Sequence, residues 1–280
     1  MTRNTKDRFG ASKVTHSDAP PVFNPLNFVA PTEFVDLPSN GVGYPDGHPL
    51  RGQEVIEIKF MTAKEEDILT SATLIKKGIA IDRFLRSIIL DEKIDPNTLL
   101  VADKNAILVA ARISGYGPDY DADMKCPQCN TTNALSFNLG AAKGVSSNIP
   151  ANSGIESLEN GNYKIKLPYC GFNIEVGLLT VLDEKKLTQL VLTQVEAEQD
   201  TNLVSAQYKK MIKAIEGHSE ENIISAFVEN MPTVDSRQIK MIYKNINPSF
   251  EIKDKFICIN CKHEEEVDVP IGTNFFWPDR

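Results

Sequence analysis

The feature that most constrains this chain is a pair of CxxC motifs, here called hook 1 (Cys126-Pro127-Gln128-Cys129) and hook 2 (Cys258-Ile259-Asn260-Cys261). Cysteines at this spacing present two thiolates to one ion, and two such motifs supply the sulfur ligands of a structural zinc site. Five cysteines in 280 residues, four of them in hooks, fit metal binding better than a disulfide framework. We therefore predict a structural zinc ion held by all four hook cysteines, Cys126, Cys129, Cys258 and Cys261. The fifth, Cys170, is expected to be inert packing.

The same pattern of apolar residues follows both hooks. Every second residue is apolar, and a glycine comes next: Leu135, Phe137, Leu139 and Gly140 after hook 1, and Val267, Val269, Ile271 and Gly272 after hook 2. An apolar residue at every second position is typical of a strand with one buried face. Each hook is therefore predicted to lead into a strand.

The similarity continues towards the N-terminus from each hook. Ile56-Glu57-Ile58 resembles Ile174-Glu175-Val176, and both runs lead to a threonine with an acidic residue three positions later. Thr62 and Thr180 are therefore predicted helix N-caps. Leu-Pro steps at 37–38 and 167–168 are each expected to end a strand, because proline lacks the N–H that a sheet requires. Asp103 and Asp235 are each predicted to cap the helix that precedes a hook, and they are separated by the same 132 positions as the hooks.

These matches predict an α+β fold of two pseudo-symmetric repeats, each with a hairpin, helices, a CxxC hook and a strand, joined by a zinc-ribbon-like four-cysteine site. The alternative is that similar elements merely recur in an α+β protein. Apolar stripes further predict helices over 72–90 and 202–216. The expected organisation is an extended N-terminal arm (1–33), a first repeat (34–140), a linker (141–162), a second repeat (163–274) and an aromatic tail (275–280).

Aromatic residues in both terminal segments are candidates for partner docking. Phe23 and Phe28 lie in a proline-interrupted segment that suits an extended arm, although a disordered leader has the same composition. Phe275, Phe276 and Trp277 suit interface anchors, or they fold back onto the second repeat.

Composition and charge disfavour several classes of function. Membrane-length apolar runs and a signal-peptide core are not found, so the chain is expected to stay in the cytoplasm where it is made. Net charge is −8, and the glutamates at 264–266 follow hook 2 directly, which argues against nucleic-acid binding. His263 could replace a thiolate, although four cysteines suffice. We find no catalytic motif and predict no enzyme and no small-molecule substrate.

Several longer runs resemble the baseplate hub proteins of contractile-tailed phages of the T-even type. The specific part is the stretch from Val35-Asp36-Leu37-Pro38-Ser39-Asn40-Gly41 to Lys64-Glu65-Glu66-Asp67. Asp103-Lys104-Asn105-Ala106, Gly115-Tyr116-Gly117, the hooks and Phe275-Phe276-Trp277-Pro278 are similar too. The resemblance is strongest over residues 33–140 and looser over the remainder.

This resemblance implies a non-enzymatic structural or assembly component of the central hub of a phage tail baseplate. As a member, the chain is expected to dock to other hub and tail proteins and to reside in the virion after assembly in the host cytoplasm. An assembly chaperone absent from the virion is the nearer alternative. A zinc-ribbon nucleic-acid-binding protein is the more distant one.

Overall fold

The computed structural model of the chain describes residues 30–150, 153–197, 202–269 and 275–276. It is a mixed fold of helices and small antiparallel sheets. The α-helices are α1 (Ala63–Thr70), α2 (Ala72–Lys76), α3 (Ala80–Ile88), α4 (Val101–Tyr116), α5 (Val181–Glu196), α6 (Leu203–Met211), α7 (Glu221–Asn230) and α8 (Thr233–Ile246). The strands are β1 (Thr32–Asp36), β2 (Val55–Lys59), β3 (Asp119–Lys125), β4 (Thr132–Asn138), β5 (Lys143–Val145), β6 (Glu156–Ser157), β7 (Tyr163–Lys166), β8 (Asn173–Val176), β9 (Ile212–Ile215), β10 (Ser249–Glu251), β11 (Lys253–Ile257) and β12 (Glu264–Asp268).

A hairpin and a capped helix open each half of the chain, as the sequence predicts. β1 pairs with β2 before α1, and β7 pairs with β8 before α5. Both helices begin at a capping box, in which the acidic side chain of the third helical residue accepts from the threonine N–H. In α5 the Asp183 N–H also donates to the Thr180 hydroxyl, whereas in α1 the Glu65 N–H donates to the Thr62 carbonyl. These bonds satisfy N–H groups that a helix start leaves without partners.

The two predicted long helices are each interrupted. The helix expected over 72–90 is divided into α2 and α3, with Gly78 at φ +67° between them. The expectation for 202–216 is wrong in its second half, because the helix ends at Met211 and residues 212–215 form β9. β9 pairs with β8 in a four-stranded sheet ordered β6-β7-β8-β9. Sheet pairing therefore decided the conformation of Ile212 and Ile215.

The hooks form the turns of two further hairpins. Hook 1 lies between β3 and β4, and hook 2 lies between β11 and β12. The sequence predicted the strands after the hooks and overlooked those before them. Ile271 and Gly272, at the end of the second predicted strand, lie outside the described residues. Each hook hairpin follows a helix, α4 in the first case and α8 in the second.

The larger core is continuous between the two halves of the chain. Its buried residues come from both opening hairpins and from helices of both halves, including Ile58, Phe84, Ile107, Ile174, Ile239 and Ile246. β5, which follows the first hook hairpin, pairs with β10, which precedes the second. Within the described ranges, none of the helices is long and apolar enough to cross a membrane.

The prediction that Asp103 and Asp235 cap their helices is wrong, because both lie in the first helical turn and the N-caps are Leu100 and Pro232. Each buried aspartate instead holds the turn after a Leu-Pro step. The Ser39 N–H donates to Asp103 Oδ1 at 3.0 Å, and the Tyr169 N–H donates to Asp235 Oδ1 at 2.8 Å. Serine and tyrosine thus occupy the same position, one residue after the proline. Because the bond uses the backbone N–H, it does not depend on which side chain follows the proline.

Candidate metal centre

Both hooks adopt the same tight backbone turn. In hook 1, the Cys126 N–H donates to the Thr131 carbonyl at 2.9 Å and the Asn130 N–H donates to the Cys126 carbonyl at 2.9 Å. In hook 2, the Cys258 N–H donates to the His263 carbonyl at 2.9 Å and the Lys262 N–H to the Cys258 carbonyl at 3.1 Å.

A left-handed residue follows the second cysteine of each hook. Asn130 has φ +57° and Lys262 has φ +59°. This conformation is uncommon for residues other than glycine, and asparagine adopts it more readily than lysine does. Its presence in both turns indicates that they are built to the same geometry, which turns the two sulfurs of each hook to one side.

The two hooks bring four sulfurs together. Cys126 Sγ lies 3.6 Å from Cys261 Sγ, and Cys129 Sγ lies 3.6 Å from Cys258 Sγ. All four sulfurs lie within 4.8 Å of one another. In a tetrahedral site with zinc–sulfur bonds of about 2.3 Å, the sulfurs stand about 3.8 Å apart. The cluster could therefore hold one metal ion, and the donor set fits zinc.

The electrostatics of the cluster also favour a bound cation. Hydrogen bonds from the Thr131 side chain and backbone lower the pKa of Cys129 to about 6. The largest single effect on Cys261 is a hydrogen bond with the His263 backbone that lowers its pKa, but desolvation and the other three sulfurs together raise the pKa to about 12. Four thiolates this close repel one another, and a divalent ion removes that repulsion.

Asn133 connects the two hooks, and the sequence analysis did not identify it. This β4 side chain is fully buried; its Nδ2 donates to the Thr131 carbonyl at 2.8 Å. Its Oδ1 accepts the Ile259 N–H of hook 2, also at 2.8 Å. Asn260 of hook 2 in turn donates to the Thr131 hydroxyl at 3.2 Å. The only signal in the sequence was a polar residue in a strand beside a ligand, which is too common to be informative.

A small second core lies beneath the sulfurs. Phe256 of β11 is fully buried with Cys126 and Cys258, and four partly buried residues pack around them: Met124, Cys129, Leu135 and Val267. Met124, Leu135 and Val267 also pack against the larger core, so the two cores adjoin. Its three fully buried members are too few to order two hairpins by hydrophobic burial alone.

His263, the alternative ligand, and Cys170, which is expected to be inert packing, both lie outside the cluster. His263 Nε2 lies 3.2 Å from Glu265 Oε2 and does not join the four sulfurs. Cys170 packs against the larger core, and its N–H donates to Asp235 Oδ2 at 3.2 Å. The metal ligands predicted from the sequence are thus brought together, and Cys170 is excluded from them.

The structure places Phe275 and Phe276 inside the chain. Both are buried, and their rings lie 5.3 Å from Tyr120 and 5.2 Å from Phe84, respectively. Arg112 of α4 is also buried, and its guanidinium donates to the carbonyls of Phe275, Gly117 and Asp119 at 2.8, 3.0 and 3.2 Å.

These contacts change two expectations for the aromatic tail. The two phenylalanines contact the first half of the chain rather than the second, and their burial leaves them unsuited to binding another subunit. The three other residues predicted to dock a partner, Phe23, Phe28 and Trp277, lie outside the described residues.

Comparison with known proteins identifies one family. The family model described as T4 bacteriophage base plate protein matches residues 32–277, nearly the whole chain. No curated protein and no solved structure matches the chain.

Proposed function

Because the chain belongs to the T4 bacteriophage base plate protein family, we propose that it is a non-enzymatic component of the central baseplate hub, stapled by one structural zinc ion. Family membership places the chain in the phage tail baseplate and implies contact with other phage proteins. The hub position and the zinc staple are our inferences. In this role, the metal joins the two halves of the chain into a rigid connector between neighbours.

The observation that carries this proposal is the four-sulfur cluster. Its ligands come from hooks that are far apart in the chain, so one ion would fix the first half against the second. Four thiolates also complete the tetrahedral shell of zinc, which leaves no open position for a substrate or an activated water. The site therefore suits a structural role better than a catalytic one.

Metal analysis of the purified full-length chain under reducing conditions tests the zinc staple. We expect about one equivalent of zinc per chain. Cys126→Ser and Cys258→Ser should each lower this content strongly, since each removes one ligand. Cys170→Ser is the matched control and should retain the metal. Less than about half an equivalent in the native chain would contradict the shared site.

We also propose that residues 34–140 and 163–274 are two copies of one repeat. Support comes from pairs of equivalent features: the two capping boxes, the two hook turns and the two aspartates that bind the residue after Leu-Pro. The segment that follows each hook hairpin contacts the other half of the chain. β5 pairs with β10 of the second half, and Phe275 is bound by Arg112 of the first.

Composition analysis of purified particles tests the hub assignment. Mass spectrometry of virions, and of isolated central hubs from disassembled tails, should find the chain in both. Its presence only in intermediates would identify an assembly chaperone. Its presence in virions but not in hubs would assign it to another part of the baseplate.

The terminal residues outside the described ranges remain the proposed docking elements. Phe23 and Phe28 of the N-terminal arm, together with Trp277, supply large apolar rings that suit contact with a neighbouring protein. Docking through short terminal segments would leave the zinc-stapled body unchanged on assembly.

A further inference from the structure

The outer edge of β1 is exposed and lines a groove. The groove has a volume of about 380 Å³ and is lined by every residue from Phe34 to Pro38, which is the pattern of a strand edge rather than of a strand face. Ala106, Val109, Ala110 and Ile113 of α4 form the facing wall. Phe34, whose side chain is 70 % exposed, lies at the groove.

The two opening hairpins, β1–β2 and β7–β8, have four outer edges, and three of them are covered by other described residues. β6 covers the outer edge of β7, and β9 covers the outer edge of β8. β2 is covered by a bridge from Ile58 to Ile89. Of these four edges, only the outer edge of β1 has no strand or bridge partner within the described part of the chain. An uncovered edge beside an exposed aromatic is a site for pairing with another strand.

The register of the first hairpin shows which groups face the groove. The Leu37 N–H donates to Glu54 on the β2 side, and the Pro31 carbonyl accepts from Phe60. Because N–H groups alternate along an antiparallel strand, odd-numbered residues bond to β2 and even-numbered residues point away. The N–H groups of Phe34 and Asp36 therefore face the groove.

We propose that the groove binds the N-terminal arm, residues 22–29, of a second copy of this chain, which adds antiparallel to β1. This inference deepens the proposed docking role of the arm and rests on it. If an arm extends straight from β1, Pro21, Pro25 and Pro31 all lie on the odd-numbered side, where no partner N–H is required. The even-numbered side keeps every N–H from residue 22 to 30. Pro20 is even-numbered and has no N–H, so the run of N–H groups on this side ends at residue 22.

The turn chemistry favours an arm from a second copy over the chain's own arm. In the second half, β6 folds back onto β7 through Asn160-Gly161, with Gly161 at φ +82°. The four residues before β1 are Phe28-Val29-Ala30-Pro31, and none of them favours the positive φ of a tight hairpin turn. The arm therefore reaches a neighbour's β1 more readily than its own. Exchange of a terminal segment is a common route to a dimer.

Charge also favours an arm bound to the body of this protein. Residues 1–29 contain four Lys or Arg and two Asp, so this segment has a net charge of +2. Because the whole chain has a net charge of −8, the remaining residues carry −10. A basic arm is attracted to an acidic body, and repulsion between two bodies is reduced when each holds the other's arm.

Two proline substitutions in the full-length chain test the exchange. Leu26→Pro removes an N–H on the proposed pairing side, whereas Asn27→Pro removes one on the opposite side and is the matched control. Sedimentation equilibrium should show a concentration-dependent dimer for the native chain and for Asn27→Pro. Leu26→Pro should raise the dimer Kd by about 30-fold, since about 1 kcal/mol is lost at each of two symmetric contacts.

Hydrogen exchange at the Phe34 and Asp36 amides separates the remaining outcomes. Protection that rises with dimer formation supports the exchange. A monomer with both amides protected would overturn it in favour of the chain's own arm. A monomer with both amides unprotected would also overturn the exchange. In that case the edge would be free to pair with a different baseplate protein, and the proposed docking role of the arm would not be contradicted.

Discussion

At the scale of single residues, Asn133 and the two buried aspartates stabilise turns that the hydrophobic pattern does not specify. Each satisfies backbone N–H or carbonyl groups that burial would otherwise leave without partners. Asn133 orients the metal ligands because it bonds to both hooks at once. Such polar neighbours of a metal site contribute to metal affinity by holding the ligands in place.

Asn133→Ala is expected to weaken zinc binding about 10- to 100-fold, because the Ile259 N–H of hook 2 loses its acceptor. Competition with a chromophoric chelator measures this affinity. Glu265→Ala is the matched control, since Glu265 occupies the equivalent position after hook 2 and is exposed. Equal losses in the two variants would contradict the bridging role of Asn133.

Asp235→Asn is expected to destabilise the protein more than Asp103→Asn. Asp235 accepts two backbone N–H groups, and an amide in its place turns an NH₂ towards one of these fixed donors. Asp103 instead accepts the hydroxyls of Ser39 and Tyr44 on one oxygen, and hydroxyls can rotate to accept from an amide. Burial also raises the pKa of Asp103, so its charge is costly.

We expect a loss of about 2–3 kcal/mol for Asp235→Asn and about 1 kcal/mol or less for Asp103→Asn. Urea unfolding of both variants with zinc bound gives the comparison. A larger loss at Asp103 would show that its negative charge itself stabilises the fold.

At the scale of elements, the start of α1 contains a buried ion pair. Glu65 has no exposed surface, and its carboxylate accepts from Ser87 Oγ at 2.5 Å, from Lys59 Nζ at 2.8 Å and from Thr62. Desolvation raises the pKa of Glu65, but the hydrogen bonds from Lys59, Ser87 and Thr62 outweigh it and lower the pKa to about 2. The carboxylate thus links β2, α1 and α3.

This lowered pKa predicts a pH-dependent contribution to stability. The unfolded pKa of glutamate is about 4.3, so the ionised form of Glu65 favours the folded state by on the order of 3 kcal/mol above that pH. The contribution is lost as the pH falls from about 4.5 towards 2. The free energy of unfolding of the native chain should therefore exceed that of Glu65→Gln at pH 7, and the difference should shrink across this window.

Glu66→Gln is the control, because Glu66 is the exposed neighbour in the same helix turn. Acid also protonates the hook thiolates, but it does so in all three proteins, so only the differences in unfolding free energy are compared. A difference between Glu65→Gln and the native chain that stays constant from pH 7 to pH 2 would contradict the lowered pKa.

At the scale of the whole molecule, two cores of very different size respond differently to the metal. The larger core joins both halves without any contribution from the hooks. The smaller core around Phe256 adjoins the sulfurs, and Met124, Leu135 and Val267 connect it to the larger core. Loss of the metal is therefore expected to loosen the region around the hooks and not the whole protein.

Chelation under reducing conditions should release the hooks and the hairpin ends nearest the metal, while the larger core stays folded. Hydrogen exchange should accelerate over residues 126–133 and 258–265. Tyr120 and Phe137, at the other end of the first hook hairpin, and Ile107 and Val109 in α4 should remain protected. Cys170→Ser should behave like the native chain. Simultaneous loss of protection in both cores would show instead that the metal supports the entire fold.

The sequence by itself determined the local features that depend on residue type and spacing. It predicted that the four hook cysteines come together, and it predicted both threonine N-caps and the strands after the hooks. It also predicted the baseplate family, and the family match confirms that prediction. These predictions succeed because a CxxC turn, a capping threonine and an alternating strand are each specified within about ten residues of chain.

Only the tertiary structure decided the features that join distant segments. Residues 212–215 have a helical apolar pattern but form β9, because pairing with β8 outweighs a weak local preference. Phe275 and Phe276 pack in the core against residues of the first half, and Asn133 joins the two hooks. These contacts also connect residues that are far apart in the chain. A contact between residues more than a hundred positions apart is set by the packing of the whole chain, which no local pattern records.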